Sequence, residues 1–148
     1  MNNDYNINLT PHFKLSELAC TDRKDFKDIN IQEALKIPGK MYMLAGFAER
    51  IREIIGRPVI INSGFRCPAL NAAVGGVMSS QHVLAEALDI RVNGKTAEEL
   101  FRIVVASDLK YDQLIWEKPG KNAAWLHISI GSKKEKLKYD GKRYTRFG

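Results

Sequence analysis

Two short segments, Ala87-Leu88-Asp89-Ile90-Arg91-Val92 and Trp125-Leu126-His127-Ile128-Ser129-Ile130, alternate apolar and polar residues with a period of two. That is the pattern of a strand with one buried face, because successive side chains of an extended chain point to opposite sides. Leu88, Ile90 and Val92 share the core face of the first strand, and Leu126, Ile128 and Ile130 that of the second. Asp89 therefore lies on the other face of its strand, as does His127, together with Trp125 and Ser129. His82 precedes the first strand in a polar turn, from which it can fold back toward Asp89.

An imidazole, a carboxylate and a second imidazole make a three-ligand set for one catalytic zinc and leave a fourth position open for water. The chain has only three histidines, and His82 and His127 account for two of them. Spacing alone is a loose criterion here, since an isolated His or Asp near a strand is more often a surface or hydrogen-bonded residue than a ligand.

The rest of the chain reads as a single α+β domain over its 148 residues, a length sufficient to bury a core. Residues 1–37 form an N-terminal accessory segment with a short helix from Ser16 and a further helical turn or two from Ile31 to Ile37. From Lys40 to Ile55 the residues Leu44, Phe47, Ala48, Ile51, Ile54 and Ile55 recur at helical spacing, and Gly56-Arg57-Pro58 stops the helix. Val59 to Asn62 is a short buried strand, and Ser63-Gly64 begins a turn that presents Arg66. A helix from Pro68 to Val74 closes at Gly75-Gly76. Thr96 and Glu99 form a capping box for a helix to about Ala106. Strands near 59–62, 87–92, 112–117 and 125–130 make a small sheet. In the basic segment 133–148, Asp140-Gly141 between Leu137-Lys138-Tyr139 and Arg143-Tyr144 predicts a hairpin with a type I′ turn.

The stretch SGFRCPALNAAVGGVMSSQHVLAEALDI, residues 63–90, resembles the signature of the zinc D-alanyl-D-alanine carboxypeptidases and related cell-wall metallopeptidases. In that signature a Ser-Gly-Tyr/Phe-Arg segment leads into Ser-x-His-x-x-Gly-x-Ala-x-Asp. The resemblance extends from about His12 to about Ser129 and includes HFKLSELAC, YDQLIWE and WLHIS. It is closest to the short members found in phages, prophages and bacteria. The resemblance implies a hedgehog/DD-peptidase-like fold whose small antiparallel sheet carries the metal, with His82, Asp89 and His127 as zinc ligands and Arg66 and Ser80 as substrate contacts. It also implies hydrolysis of peptidoglycan stem peptides, as a D,D-carboxypeptidase or an L,D- or D,D-endopeptidase of the endolysin kind.

Two positions depart from the family pattern. Ala85 stands where the signature has glycine, which matters if that residue needs a positive φ. Ala124 stands three residues before His127, where several members carry a catalytic acid. Glu117, at the end of the strand before the KPGKN turn, is the replacement general base, because a hairpin brings it beside the His127 strand. Glu86, inside the metal motif, competes with it but reads as a surface residue. With both departures in place, a catalytically silent wall-binding or virion structural protein is the alternative function.

Cys20 and Cys67 are too few for a cysteine-rich metal cluster and read as reduced, partly buried residues. A Cys67 nucleophile with His82 or His127 as base is the weaker alternative chemistry. The net charge of +6 suits an anionic partner, either the peptidoglycan wall or nucleic acid. Tyr139, Tyr144 and Phe147 among the late lysines and arginines could stack on sugars or bases, although an edge hairpin protected by its lysines gives the same composition. No apolar run approaches the roughly 20 residues of a membrane span, and the first residues lack a secretory signal pattern. A soluble cytoplasmic product that acts at the cell wall, as in phage lysis or entry, is the resulting expectation.

Overall fold

The computed structural model describes residues 7–147, so the ends of the accessory segment and of the basic hairpin lie outside the described residues. The chain is α+β, and its described residues gather into two compact units, one within residues 7–49 and 61–88, the other within 50–60 and 89–147.

In the first unit β1 (Asn8–Thr10) and β2 (Phe13–Lys14) form an antiparallel pair, followed by α1 (Leu15–Leu18) and, after a 3₁₀ turn at Lys24–Phe26, α2 (Lys27–Leu35). Helix α2 starts four residues before the expected Ile31. Its early turns are polar, and the apolar period used to find helices does not register them. The long helix α3 (Pro38–Ile55) begins in this unit and buries Met41, Leu44, Ala45 and Ala48 completely. Then come β3 (Ile60–Ser63), α4 (Pro68–Ala73) and the start of β4 (Ala87–Arg91), with β3 and β4 neighbours in the sheet. Pro68 at the first helical position of α4 needs no hydrogen-bond partner for its nitrogen, and Gly75 closes the segment at φ +78°.

In the second unit β4, β6 (Trp125–Ser129), β5 (Gln113–Glu117), β7 (Glu135–Tyr139) and β8 (Tyr144–Arg146) follow one another as neighbours. The helix α5 (Ala97–Ala106) is capped as expected: Thr96 Oγ1 accepts from the Glu99 amide at 3.1 Å, and Glu99 accepts from the Thr96 amide at 2.9 Å. Its buried side chains Leu100, Phe101 and Val104 belong to the same core as Leu114, Leu126 and Ile128, all buried on one face of the sheet. Phe101 joins Trp116 and Phe147 in ring contacts at 6.4 and 4.9 Å. Lys138, beside Trp116 on that face, lies over its ring at 4.2 Å.

The sheet is mixed where an antiparallel one was expected, since β5 and β6 are antiparallel but β7 runs parallel to β5. Residues 130–134 carry the chain past the start of β5, where Glu135 N donates to Asp112 O at 2.9 Å and Lys134 N to Tyr111 O at 3.0 Å. Gly131 makes this crossing feasible, because a Cβ there would come within 2.5 Å of the Asp112 carboxylate. The β7–β8 hairpin exists, but with Tyr139 paired to Tyr144 its connection has four residues, not two. Asp140 closes this loop by accepting the amides of Lys142 and Arg143 at 2.9 and 3.0 Å, and these bonds, that to Arg143 foremost, hold its carboxyl below the ordinary range.

Candidate metal centre and substrate-handling residues

The segment Ser63-Gly64-Phe65-Arg66 is clamped by backbone chemistry. Phe65 N donates to Leu18 O at 2.7 Å, and the same carbonyl is so close to Gly64 that any Cβ there would collide with it. Asn30, fully buried on α2, completes the clamp: its amide nitrogen donates to Ala19 O and Phe65 O at 2.9 and 3.0 Å, and its oxygen accepts from Cys67 N at 2.8 Å. A buried amide with three satisfied bonds fixes the turn on either side of Arg66. Sequence reading missed Asn30, because in the charged run KDFKDINIQE an asparagine looks solvated.

His82 lies in the turn of residues 81–85 and is 3% exposed. Its Nδ1 is 2.7 Å from Gly64 O, and Arg66 N donates back to His82 O at 3.1 Å. A carbonyl only accepts, so Nδ1 carries the proton and Nε2 keeps its lone pair for another ligand. Fixing the tautomer through the second ring nitrogen is how metal-binding histidines are oriented. Ser80 Oγ accepts from Arg66 Nη2 at 3.3 Å and from His82 N at 3.2 Å, so the two expected substrate contacts are joined to each other and to the histidine's backbone.

On the second unit's sheet, His127 Nδ1 donates to Asp89 Oδ1 at 2.9 Å, and both side chains are mostly buried. His82, Asp89 and His127 form a group that could hold a metal ion, each offering one donor atom, with these atoms within 4.8 Å of one another. Two imidazoles and a carboxylate fit zinc, whose ligands are nitrogen, sulfur and carboxylate oxygen. His12, the third histidine, is engaged elsewhere, with Glu49 at 2.9 Å.

Glu117 pairs with Trp125 across β5 and β6, two residues along from the Ile115–His127 pair, and so shares a face with His127. Trp125 Nε1 donates to Glu117 Oε2 and orients the carboxylate. Such diagonal neighbours are within reach of each other for long side chains. Glu86 is occupied differently, ion-paired with Lys40 at 2.9 Å. Burial pushes the Cys20 thiol above its ordinary range, which is not the setting of an activated thiolate, and Cys67 is 1% exposed.

Ala85 has φ +57° and is 1% exposed, so the left-handed geometry that favours glycine at this position is retained with a methyl group on it. That conformation costs a non-glycine residue about 1–2 kcal/mol. Ala85→Gly is therefore expected to stabilise the fold by roughly 1 kcal/mol, less the added freedom of the unfolded chain. Urea denaturation of the two proteins checks this, and a clearly lowered midpoint would remove strain as the account of this position.

The model of the family described as Peptidase M15 matches residues 11–129. No curated protein sequence matches the chain.

Proposed function

Because the chain belongs to the Peptidase M15 family, we propose that it is a zinc-dependent peptidase that hydrolyses peptide bonds in the stem peptides of peptidoglycan, with residues 1–148 acting as one catalytic domain. The observation that carries this reading is the group of His82, Asp89 and His127. A zinc ion bound there would activate water at neutral pH and polarise the scissile carbonyl.

The remaining roles fall to side chains. Gly64 O holds the His82 ring in the tautomer that leaves Nε2 available. Glu117, oriented by Trp125, takes a proton from the attacking water and returns it to the leaving amine. Arg66 offers a planar fork to a substrate carboxylate or to the developing oxyanion, with Ser80 beside it to orient the peptide. The chain's charge of +6 favours encounter with an anionic wall. Among the described residues no helix is long and apolar enough to cross a membrane. Action on the wall during phage lysis or entry fits this reading.

Mass spectrometry of products released from purified peptidoglycan by zinc-loaded protein tests the proposal. New amine and carboxyl termini within the stem peptides are expected, and their position distinguishes carboxypeptidase from endopeptidase. Intact muropeptides would instead favour the silent wall-binding protein, the reading that Ala124 in place of the usual acid supports.

Arg66→Lys keeps the charge and loses the fork. Turnover is expected to fall by about tenfold or more, the equivalent of one charge-assisted hydrogen bond, with the melting temperature nearly unchanged. Equal catalytic efficiency of the two proteins would count against a substrate-binding role for Arg66.

A further inference from the structure

A second feature of the sheet lies beyond the metal ligands. The strand registers place His127, Ile115, Leu137 and Arg146 in one row across β6, β5, β7 and β8. At the sheet spacing of about 4.8 Å this row spans roughly 14 Å, or about four residues of extended peptide. Its outer part is a groove of about 410 Å³, lined by Gln113, Ile115, Glu135, Leu137, Tyr144 and Arg146. Ile115 and Leu137 make an apolar floor, and Tyr144, stacked on Tyr139 at 4.6 Å, makes one wall. At the far end Glu135 accepts from Gln113 Nε2 at 2.8 Å and from Arg146 Nη2 at 3.1 Å. The groove thus leads from a candidate ligand, over aliphatic surface, to an anion and a cation side by side.

We propose that this groove is a substrate subsite for an amino-acid head group on an aliphatic stem, with the ammonium held by Glu135 and the carboxylate by Arg146. Charge complementarity argues for this occupant: a lone carboxylate or a lone ammonium would satisfy one partner of the pair and leave the other without its ion. An incoming zwitterion replaces both halves of the existing bridge. The exposed Arg146 can exchange partners at small cost, since surface ion pairs contribute little. A bifunctional diamino acid within a cell-wall peptide has the required chemistry. The inference rests on the proposed peptidase reading for the direction of the peptide, while the binding itself can be measured separately.

The test uses two synthetic stem peptides that differ at one residue, 2,6-diaminopimelate in one and lysine, which lacks the terminal carboxylate, in the other. Each is titrated into the protein while the methyl resonances of Ile115 and Leu137 are followed, and cleavage is read as product peaks in the same samples. The diaminopimelate peptide is expected to shift both methyls and to bind about tenfold tighter than the lysine peptide, the worth of one charge-assisted pair. Glu135→Gln, which loses the partner of the ammonium common to both peptides, should weaken binding of both, whereas Arg146→Gln should remove most of that preference. Lys133→Gln, an equal change in charge outside the groove, should leave it within about twofold of the original, whereas a loss there would reassign the effect to diffuse electrostatics. Equal affinities for the two peptides, or a preference that survives Arg146→Gln, would overturn the subsite. Binding with the expected preference but without product peaks would leave the subsite standing and the peptidase reading refuted.

Discussion

Alanine at His82, Asp89 or His127 is expected to take bound zinc from about one ion per chain to none and to abolish hydrolysis, because a three-ligand catalytic site has no spare donor. The three losses should differ in their structural cost. His82 is 3% exposed and its ring is bonded to Gly64 O, so its removal leaves a cavity and a carbonyl without its partner as well as an incomplete site. Asp89 and His127 lose each other's hydrogen bond, and either single variant leaves one polar group in a mostly buried position. Elemental analysis after dialysis, alongside circular dichroism to confirm folding, measures both effects. Full zinc occupancy in the triple alanine variant would place the metal elsewhere and remove the basis of the mechanism.

Glu117→Gln is expected to keep the metal and the fold and to lower the rate on the order of 10²-fold, the usual contribution of a positioned general base. The amide is nearly isosteric, and its oxygen can still accept from Trp125 Nε1, so orientation is preserved while basicity is lost. Glu86→Gln should be nearly neutral in rate, since that carboxylate is ion-paired with Lys40, and a partly exposed pair of this kind is worth no more than about 1 kcal/mol of stability. Assays of both variants at equal zinc content on one wall preparation decide the assignment. A fully active Glu117→Gln together with an inactive Glu86→Gln would transfer the role to Glu86.

Much of the local structure was legible because it depends on short-range rules. The period-two alternation at 87–92 and 125–130 matches β4 and β6, and the capping box at Thr96 and Glu99 has both of its bonds. The expected helix from Lys40 to Ile55 appears as α3, extended by two residues at its start. Less legible was whatever depends on which strand lies beside which. The parallel pairing of β7 with β5 follows from the crossing at residues 130–134, and the four-residue connection at Asp140 follows from the pairing of Tyr139 with Tyr144. A dipeptide signal such as Asp140-Gly141 identifies a turn without setting how many residues it takes.

The sequence by itself determined the residue types of the candidate centre and the side of each strand on which they lie. Alternation in a strand is a local property, and the motif spacing carries the donor chemistry with it. The tertiary structure alone decided what each of these groups can do. Hydrogen-bond partners distant along the chain set the tautomer of His82 through Gly64 O, anchored the Arg66 turn on the buried Asn30, and gave Glu117 its orienting indole. Likewise Ala85 reads as a small substitution in sequence, and only its φ of +57° shows that a backbone conformation favouring glycine was kept. Protonation state, orientation and strain depend on long-range contacts and on dihedral angles, which residue order does not specify one by one.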